Sequence, residues 1–434
     1  MDFESSFFVS LIIFIIVYGL IIFRNVRGIN VPIWASMTFG AIAVLVLQVI
    51  TIDDAFSAIN FDVIFFLLGM FILVSGLESS GMLNYIVNRI LSFAKTPNQI
   101  LFFILFVMGL MSAFLINDTI ALVATPIVIG LAKPMNIRPA PMLISLAFGI
   151  TIGSMMTPMG NPQNLLISLH SGMEFPLFTF LRYLFLPTIT CLLVTYFITK
   201  WYYRKEFSNA VISQIVISKV VLESSLAKKS SVLIIITVIG FFVVGLIKLF
   251  GVSTELNFSH IAIFGGISLL LIGNKRKQII KGINWQIIVF FVAMFVFMQG
   301  VWNGGIIELF QTILPFDTNP NSPTSSINII GTSILTSQVV SNVPFVAISI
   351  PILQNYGFSS MDTISWIALA AGSTIAGNLT ILGAASNVII LEAAERKHGV
   401  TFTFKEFFKI GAIVTVANMW ILVFFITFPF NINP

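Results

Sequence analysis

Long apolar stretches, each close to the length of a membrane span, follow one another along almost the whole chain. A helix that crosses the hydrocarbon core of a bilayer needs about 20 mostly apolar residues. Ten stretches meet this requirement and are predicted spans: 7–23, 31–50, 61–77, 140–171, 179–199, 231–249, 258–273, 285–303, 364–395 and 408–430. The pattern predicts an all-α polytopic membrane protein.

Two further apolar stretches, 98–132 and 325–354, are too long for one span and contain polar interruptions. The interrupting residues are Asn117, Asp118 and Thr119 in the first stretch, and Ser341, Asn342 and Pro344 in the second. Non-helical backbone at membrane depth is tolerated only where it is buried in protein or lines a cavity. We therefore expect two re-entrant hairpins, each entering and leaving on one side, with their tips at these interruptions.

The two halves of the chain resemble each other at nearly constant spacing. Segment 60–82 lies over 284–306 at an offset of 224, and it pairs asparagines and glycines as well as apolar residues. The same order continues in two shorter blocks: 116–126 over 341–351, and 157–167 over 380–390. Three blocks in one order indicate an internal duplication.

Each half is predicted to contain five spans and one hairpin, which is an odd number of crossings. The second half must then lie upside down relative to the first, as in the inverted repeats of secondary transporters. The predicted divisions are a first repeat at 1–203, a cytoplasmic linker at 204–230 and a second repeat at 231–434.

Composition and charge placement agree with this interpretation. Only 9% of the residues are charged, whereas soluble domains carry roughly 25%. With the amino terminus outside, 20 of the 22 Lys and Arg residues fall in cytoplasmic segments, as the positive-inside rule requires. We therefore expect a multi-pass protein of the plasma membrane, and the basic balance does not indicate a nucleic-acid partner.

Two predicted spans contain helix-breaking sequences at matching positions. Residues 157–164 include Pro158, Gly160 and Pro162, and residues 380–387 include Gly383 and Ser386. Half-helices that begin after such breaks direct their positive amino-terminal ends to the midplane, while ended half-helices offer carbonyls to cations. The candidate binding residues are Asn117, Asp118, Thr119, Thr157, Gly160, Asn161, Asn164, Ser341, Asn342, Thr380, Gly383, Ser386 and Asn387.

Asp118 is the acidic residue at a predicted hairpin tip deep in the membrane. An ionised Asp at the bilayer centre costs roughly 2.5–3.5 kcal/mol on insertion scales, so such residues usually serve ion or proton pathways. We predict that Asp118 is the proton-coupling group. The alternative is a neutral Asp that caps the second helix of the hairpin.

Other chemistry is poorly supported by the residues. His170, His260 and His398 are scattered and lack ligand spacing, the lone Cys191 lies in an apolar run, and no phosphate loop is present. The sequence therefore predicts neither an enzyme nor an ATP-driven pump, and it predicts no metal cofactor. A bound sodium ion remains open, because hard cations favour oxygen ligands.

The motifs NDTIALVATPIV, GSMMTPMGNPQNLLI, SNVPFVAISIP and GNLTILGAASNVII together resemble the ion transporter superfamily. That group includes arsenical pump membrane permeases, NhaD-type sodium/proton antiporters and divalent anion:sodium symporters. The resemblance implies inverted repeats, a homodimer, and a transport domain that moves against a scaffold. It also implies a cytoplasmic ATPase partner if the chain is of the arsenical-pump type.

The predicted midplane site contains no Arg or Lys. A neutral solute such as arsenous acid, exchanged against a proton on Asp118, needs no fixed positive charge. We therefore favour a proton-coupled permease for arsenite or a small oxyanion that works by alternating access. Sodium-coupled dicarboxylate or anion symport and sodium/proton antiport are the alternatives, and a channel is less favoured because it needs no titratable coupling group.

Overall fold

The computed structural model describes residues 3–22, 25–26, 29–91, 93–132, 135–208, 222–250, 254–317, 319–320, 322 and 324–427. Within these ranges, seven helices are long and apolar enough to cross a membrane, and five shorter apolar helices accompany them. The only strands described are β1 (Asn25–Val26) and β2 (Ile29–Asn30), which pair antiparallel. The predicted all-α membrane fold is confirmed.

The first half consists of eleven helices and one short 3₁₀ turn at Ser154–Met156. The helices are α1 (Phe3–Ile22), α2 (Ile33–Val46), α3 (Ile52–Ala58), α4 (Phe61–Ser79), α5 (Met82–Leu91), α6 (Pro97–Leu115), α7 (Asn117–Ala132), α8 (Pro139–Gly153), α9 (Pro162–His170), α10 (Pro176–Tyr202) and α11 (Arg204–Ser208).

The second half repeats this order with ten helices and a 3₁₀ turn at Ile381–Gly383. The helices are α12 (Ser224–Leu249), α13 (Phe258–Ile272), α14 (Arg276–Lys281), α15 (Trp285–Asn303), α16 (Ile306–Ile313), α17 (Ser325–Val340), α18 (Asn342–Asn355), α19 (Thr363–Ala376), α20 (Ala385–His398) and α21 (Phe404–Thr427). The two broken helices predicted from sequence are α8–α9 and α19–α20.

Each predicted hairpin is a pair of helices that pack on each other and meet at one residue with positive φ. Ile116 joins α6 to α7 at φ 64°, and Ser341 joins α17 to α18 at φ 68°. Positive φ is unusual for residues other than glycine, and especially for a β-branched one. The tips therefore lie where the polar interruptions place them.

The packing of the two halves follows the same two-fold pattern as their sequences. Helix α4 packs on α13, and its counterpart α15 packs on α2. Helix α6 packs on α8 as α17 packs on α19, and α10 packs on α21 across the pseudo-symmetry. Because the strongest pairings of α2, α4, α13 and α15 cross between the halves, the repeats interlock.

Hydrogen bonds show that the two halves are inverted. At the start of α4, Asp62 accepts a hydrogen bond from Ser259 at the start of α13, so these helices begin on one face. Near the end of α4, the Ser75 hydroxyl donates to the Ile279 carbonyl over 2.7 Å, in the segment just before α15. Helix α15 thus begins where its counterpart α4 ends.

The basic residues concentrate on the face where α4 ends, here named the basic face. Helix α10 starts close to His170, which contacts Asn60 on the opposite face. Its 27 residues, about 40 Å at 1.5 Å per residue, carry the chain to the basic face, where Glu206 binds Arg138.

Four of the 20 basic residues predicted to be cytoplasmic lie outside the described residues: Arg24, Arg27, Lys133 and Lys219.

The central connection is shorter than the predicted linker at 204–230. Helix α11 occupies 204–208, residues 209–221 lie outside the described part, and α12 begins at Ser224. The segment SSLAKKSS is polar, yet Ala, Leu and Lys are good helix formers. Polarity alone therefore placed the start of this helix seven residues too late.

Candidate functional site

A cavity of about 590 Å³ joins the two hairpin tips. Asn117 and Asp118 line it from the first tip, and Ser341 and Asn342 line it from the second. These are four of the thirteen candidate residues, and they come from opposite halves of the chain. Both halves of the chain therefore contribute a hairpin tip to the cavity.

Four half-helices begin at the wall of this cavity. Its lining includes the first residues of α7, α9, α18 and α20, namely Asn117, Pro162, Asn342 and Ala385. The amino-terminal end of a helix carries a partial positive charge and unpaired N–H groups, and therefore attracts anions. The helix ends thus supply partial positive charge without a cationic side chain, because the lining described contains no Lys or Arg.

The first tip is fastened to the loop of the broken helix α8–α9. The Asn117 N–H donates to the Gly160 carbonyl over 3.0 Å, and the Asn117 side chain accepts from the Asp118 N–H over 2.9 Å. Both side chains are 7% exposed. None of the described residues donates a hydrogen bond to the Asp118 carboxylate, which leaves this group available to the contents of the cavity.

Asn164 and Asn387 brace the two broken helices in the same way. The Asn164 amide donates to the carbonyls of Ser154, Met155 and Thr157 over 3.2–3.3 Å. The Asn387 amide donates to the carbonyls of Gly377 over 2.6 Å and Thr380 over 3.2 Å. Both asparagines are fully buried, so they hold the loops behind the cavity wall.

The threonines of the two breaks fasten these loops to the hairpins. The Thr157 hydroxyl donates to the Ala113 carbonyl on α6, and the Thr380 hydroxyl donates to the Gln338 side chain on α17 over 2.8 Å. Ala113 and Gln338 are themselves related by the offset of 225 that relates the tips. Each tip and its broken helix therefore form one connected unit.

The remaining candidates also lie behind the cavity wall. Asn161 donates to Thr374 of the other half over 3.2 Å, and Thr119 lies half-buried in the first turn of α7. Gly160 and Gly383 pack against backbone: an added Cβ would lie 2.2 Å from the Ser154 carbonyl oxygen or 2.7 Å from the Ala376 carbonyl oxygen. The Ser386 hydroxyl is buried without a partner among the described residues.

The cavity extends from the tips to the basic face. Its outer lining includes Trp34 near the start of α2, Asn284 and Gln286 at the start of α15, and Glu392 on α20. Because α15 begins on the basic face, these residues place one end of the cavity towards that side.

Sequence reasoning missed several polar groups of this lining. Gln163 is buried beside the first tip and could have been found as the residue that follows Pro162 at the start of α9. The indole N–H of Trp34 is buried and has no partner within the described structure. Trp34 gives no sequence signal, because only the fold brings α2 to the hairpins.

Buried oxygens without partners cluster around the second break. They belong to Thr151, Asn378, Ser386 and Asn387, and the hairpin tip adds the Asn342 side-chain oxygen. In the first half, the corresponding Asn164 oxygen accepts a hydrogen bond from Thr374 over 3.3 Å. Oxygen groups that no protein donor satisfies are suitable ligands for a hard cation. Among the described residues, no cluster of His, Cys, Asp or Glu forms a metal site.

Comparison with known proteins identifies related chains. The model of the citrate transporter family, CitMHS, matches residues 18–372. An uncharacterized transporter of Mycobacterium tuberculosis is 27% identical over 424 residues, covering 95% of this chain and 96% of that protein. The P protein of Mus musculus is 27% identical over 477 residues, covering 91% of this chain and 57% of that protein.

The fold also has a counterpart among solved structures. The YdaH transporter of Alcanivorax borkumensis, whose crystal structure is described as having an unusual topology, aligns with a TM-score of 0.54. The alignment covers 97% of each chain at 12% identity, so it shows the fold alone. The predictions of a multi-pass membrane protein and of a transporter instead of an enzyme are confirmed. The chain belongs to the CitMHS citrate transporter family of secondary transporters.

Proposed function

We propose that this protein is a proton-coupled secondary transporter that carries a small anion by alternating access. The observation that carries the proposal is the convergence of four helix amino termini on one cavity that also contains the Asp118 carboxylate. The helix ends provide the field that attracts an anion, and the carboxylate provides the group through which a proton is coupled.

The convergence of the four helix amino termini favours an anionic substrate over the arsenite that the sequence favoured. The lack of Arg and Lys favours a neutral solute such as arsenous acid, whereas helix amino termini stabilise a negative charge without cationic side chains. The match to a citrate transporter family favours a carboxylate anion. Arsenite-type efflux stays a prediction, and the transport assay at the end of this section tests it as well.

Asp118 couples the flux of protons to the flux of the anion through its charge. An ionised carboxylate beside the anion would repel it, so the anion binds best when Asp118 holds a proton. A proton and an anion that bind together move in the same direction. A neutral solute that displaces the proton would move in the opposite direction, so the sign of the proton flux separates carboxylate symport from arsenite exchange.

Sodium coupling is the second candidate, and the oxygens around the second break favour it. Asn378, Ser386 and Asn387 offer buried oxygens without described donors, and a sodium ion could be held there by oxygen ligands alone. Under this alternative, sodium balances the charge of the anion, and the protonation of Asp118 does not drive uptake.

Orientation and partners complete the proposal. We place the basic face in the cytoplasm of a cell whose plasma membrane holds the protein, so that the cavity opens inward. The homodimer that the sequence resemblance implies, and the cytoplasmic ATPase that an arsenical-pump type would need, stay predictions. The purified protein's mass in detergent tests the first, and co-purification tests the second.

The experiment uses proteoliposomes with an imposed pH or sodium gradient and compares citrate, succinate, sulfate and arsenite. We expect a proton gradient to drive citrate-class uptake in the unmodified protein and to fail in Asp118→Asn, which keeps the side-chain shape but cannot titrate. The matched control is Asp53→Asn, which changes an exposed carboxylate outside the cavity.

Accumulation by Asp118→Asn equal to that of the unmodified protein would refute Asp118 as the proton carrier. It would support the capping role, because Asn is also a good helix cap. Uptake that depends on sodium and ignores the pH gradient would select the second candidate. Uptake of arsenite alone would overturn the anion proposal.

A further inference from the structure

A second cavity, of about 710 Å³, lies on the basic face where the end of α10 meets the start of α21. Its cationic lining consists of Arg138, Arg204, Lys205, Lys405 and Lys409. Its anionic lining consists of Glu206 and Glu406. This seam joins the two halves of the chain, and it is separate from the cavity at the hairpin tips.

Both carboxylates in the seam are bound to one guanidinium. Arg138 Nη2 lies 2.5 Å from Glu206 Oε1 and 3.2 Å from Glu406 Oε1. Arg138 immediately precedes α8, whereas Glu206 follows α10 and Glu406 lies in the first turn of α21. Because both acids are paired with Arg138, the other cations of the lining leave the cavity with a net positive charge.

The helices that border the seam place aromatic and basic residues side by side. On α21, Phe404 and Phe408 form one stacked stripe at a centroid distance of 6.2 Å, and Lys405 and Lys409 form the adjacent stripe. The two rings are 52% and 43% exposed. At the end of α10, Trp201 is 60% exposed beside Arg204.

This arrangement matches the interface of a bilayer. Exposed aromatic rings at the end of a membrane helix lie at the level of the lipid headgroups, and adjacent lysines reach the phosphates there. Basic pockets between membrane helices on the cytoplasmic side are suited to acidic lipid headgroups.

Tyr203 supplies an independent indication of a ligand. Its side chain is 4% exposed and lines the seam, and its hydroxyl is buried without a partner in the described structure. A buried hydroxyl normally has a hydrogen-bond partner, because leaving it unsatisfied is costly. A phosphate oxygen in the cavity would accept this hydrogen bond.

We propose that the seam binds the phosphate of an anionic phospholipid headgroup, which thereby joins α10 of the first half to α21 of the second. The rings of Phe404, Phe408 and Trp201 would contact the acyl chains, while Lys405, Lys409 and the Tyr203 hydroxyl would contact the phosphate. Because Arg138 links the seam to α8, the bound lipid stabilises the helix whose far end carries the first loop of the transport site.

The test measures thermal unfolding of the purified protein in detergent, without substrate, so that it does not depend on the proposed transport reaction. The additions are phosphatidylglycerol, phosphatidylcholine or inorganic phosphate. We expect phosphatidylglycerol to raise the Tm, and the other two additions to have little effect. Native mass spectrometry of the same samples counts the retained lipid.

The double variant Lys405→Gln/Lys409→Gln should bind phosphatidylglycerol about tenfold or more weakly, since two cations near the headgroup are removed. The matched control is Lys277→Gln/Lys281→Gln, which removes two exposed cations from α14 on the same face but outside the seam. Tyr203→Phe, which keeps the ring, should weaken binding by several-fold.

Equal losses of phosphatidylglycerol binding in the two double variants would refute a specific site. They would indicate a general attraction of the basic face for acidic lipid. A Tm rise of the same size with phosphatidylcholine would refute the need for an anionic headgroup. The same rise with inorganic phosphate would refute the lipid and indicate a soluble anion. If the lysine variant does not fold, unchanged lipid binding by Tyr203→Phe would overturn the proposal.

Discussion

At the scale of single residues, amides with similar sequence contexts have different tasks. Asn164 uses its amide to hold three carbonyls of a loop, whereas the side-chain oxygen of Asn342 faces the cavity region without a described donor. Both are polar residues in apolar surroundings, and the sequence predicted both as binding residues. The carbonyls that Asn164 satisfies exist only in the folded loop, so no sequence pattern could have distinguished the two roles.

The two roles predict different effects of substitution by alanine: a loss of stability at Asn164 and a loss of substrate binding at Asn342. Asn164→Ala removes the amide that donates to three buried carbonyls, of which those of Ser154 and Thr157 keep weaker donors at 3.4 Å. It should lower the free energy of unfolding by about 1–3 kcal/mol. Asn342→Ala removes no described hydrogen bond of the side-chain oxygen and should leave the Tm nearly unchanged while weakening substrate binding. Thermal unfolding combined with substrate titration checks both expectations. Equal losses of Tm would mean that both residues brace the fold.

At the scale of elements, the sequence indicated the breaks but not their geometry. Prolines and glycines at 158–162 and polar residues at 117–119 identify where helices stop. They do not predict that Ile116 and Ser341 take positive φ, since neither residue favours it. The tight reversal of each hairpin, imposed by packing against the broken helices, overrides the local preference. The start of α12 was misplaced for a related reason, because surface polarity hides helix propensity.

The geometry of the second tip predicts a stabilising substitution. Ser341 has φ 68° and ψ 158°, a backbone region that is essentially restricted to glycine and costs of order 1–3 kcal/mol for other residues. Ser341→Gly should therefore raise the free energy of unfolding by about 1 kcal/mol. The matched control is Ser333→Gly inside α17, which should lower it by a similar amount. A lower Tm for Ser341→Gly would show that the serine side chain contributes more than the strain costs.

At the scale of the whole molecule, the repeats bring one hairpin tip from each half to the same cavity. Three aligned blocks of sequence predicted the duplication, and the odd number of predicted membrane crossings in each half predicted the inversion. The packing of α4 on α13 and of α15 on α2 could not be predicted from the sequence, because apolar helix surfaces carry little information about their partners. Trp34 reaches the cavity through this interlocking, and it therefore escaped prediction.

The orientation of the whole molecule gives the final prediction. The chain's one cysteine, Cys191, is fully buried in α10, so a cysteine added at the surface should be the only one that reacts quickly. Glu255→Cys lies in the exposed loop before α13, on the face opposite the basic one, and Lys277→Cys lies on the basic face. If the basic face is cytoplasmic, a membrane-impermeant maleimide should label Glu255→Cys in intact cells and Lys277→Cys only after permeabilisation. The reverse labelling pattern would place the basic face and the mouth of the transport cavity outside, and the inward-open assignment would then be wrong.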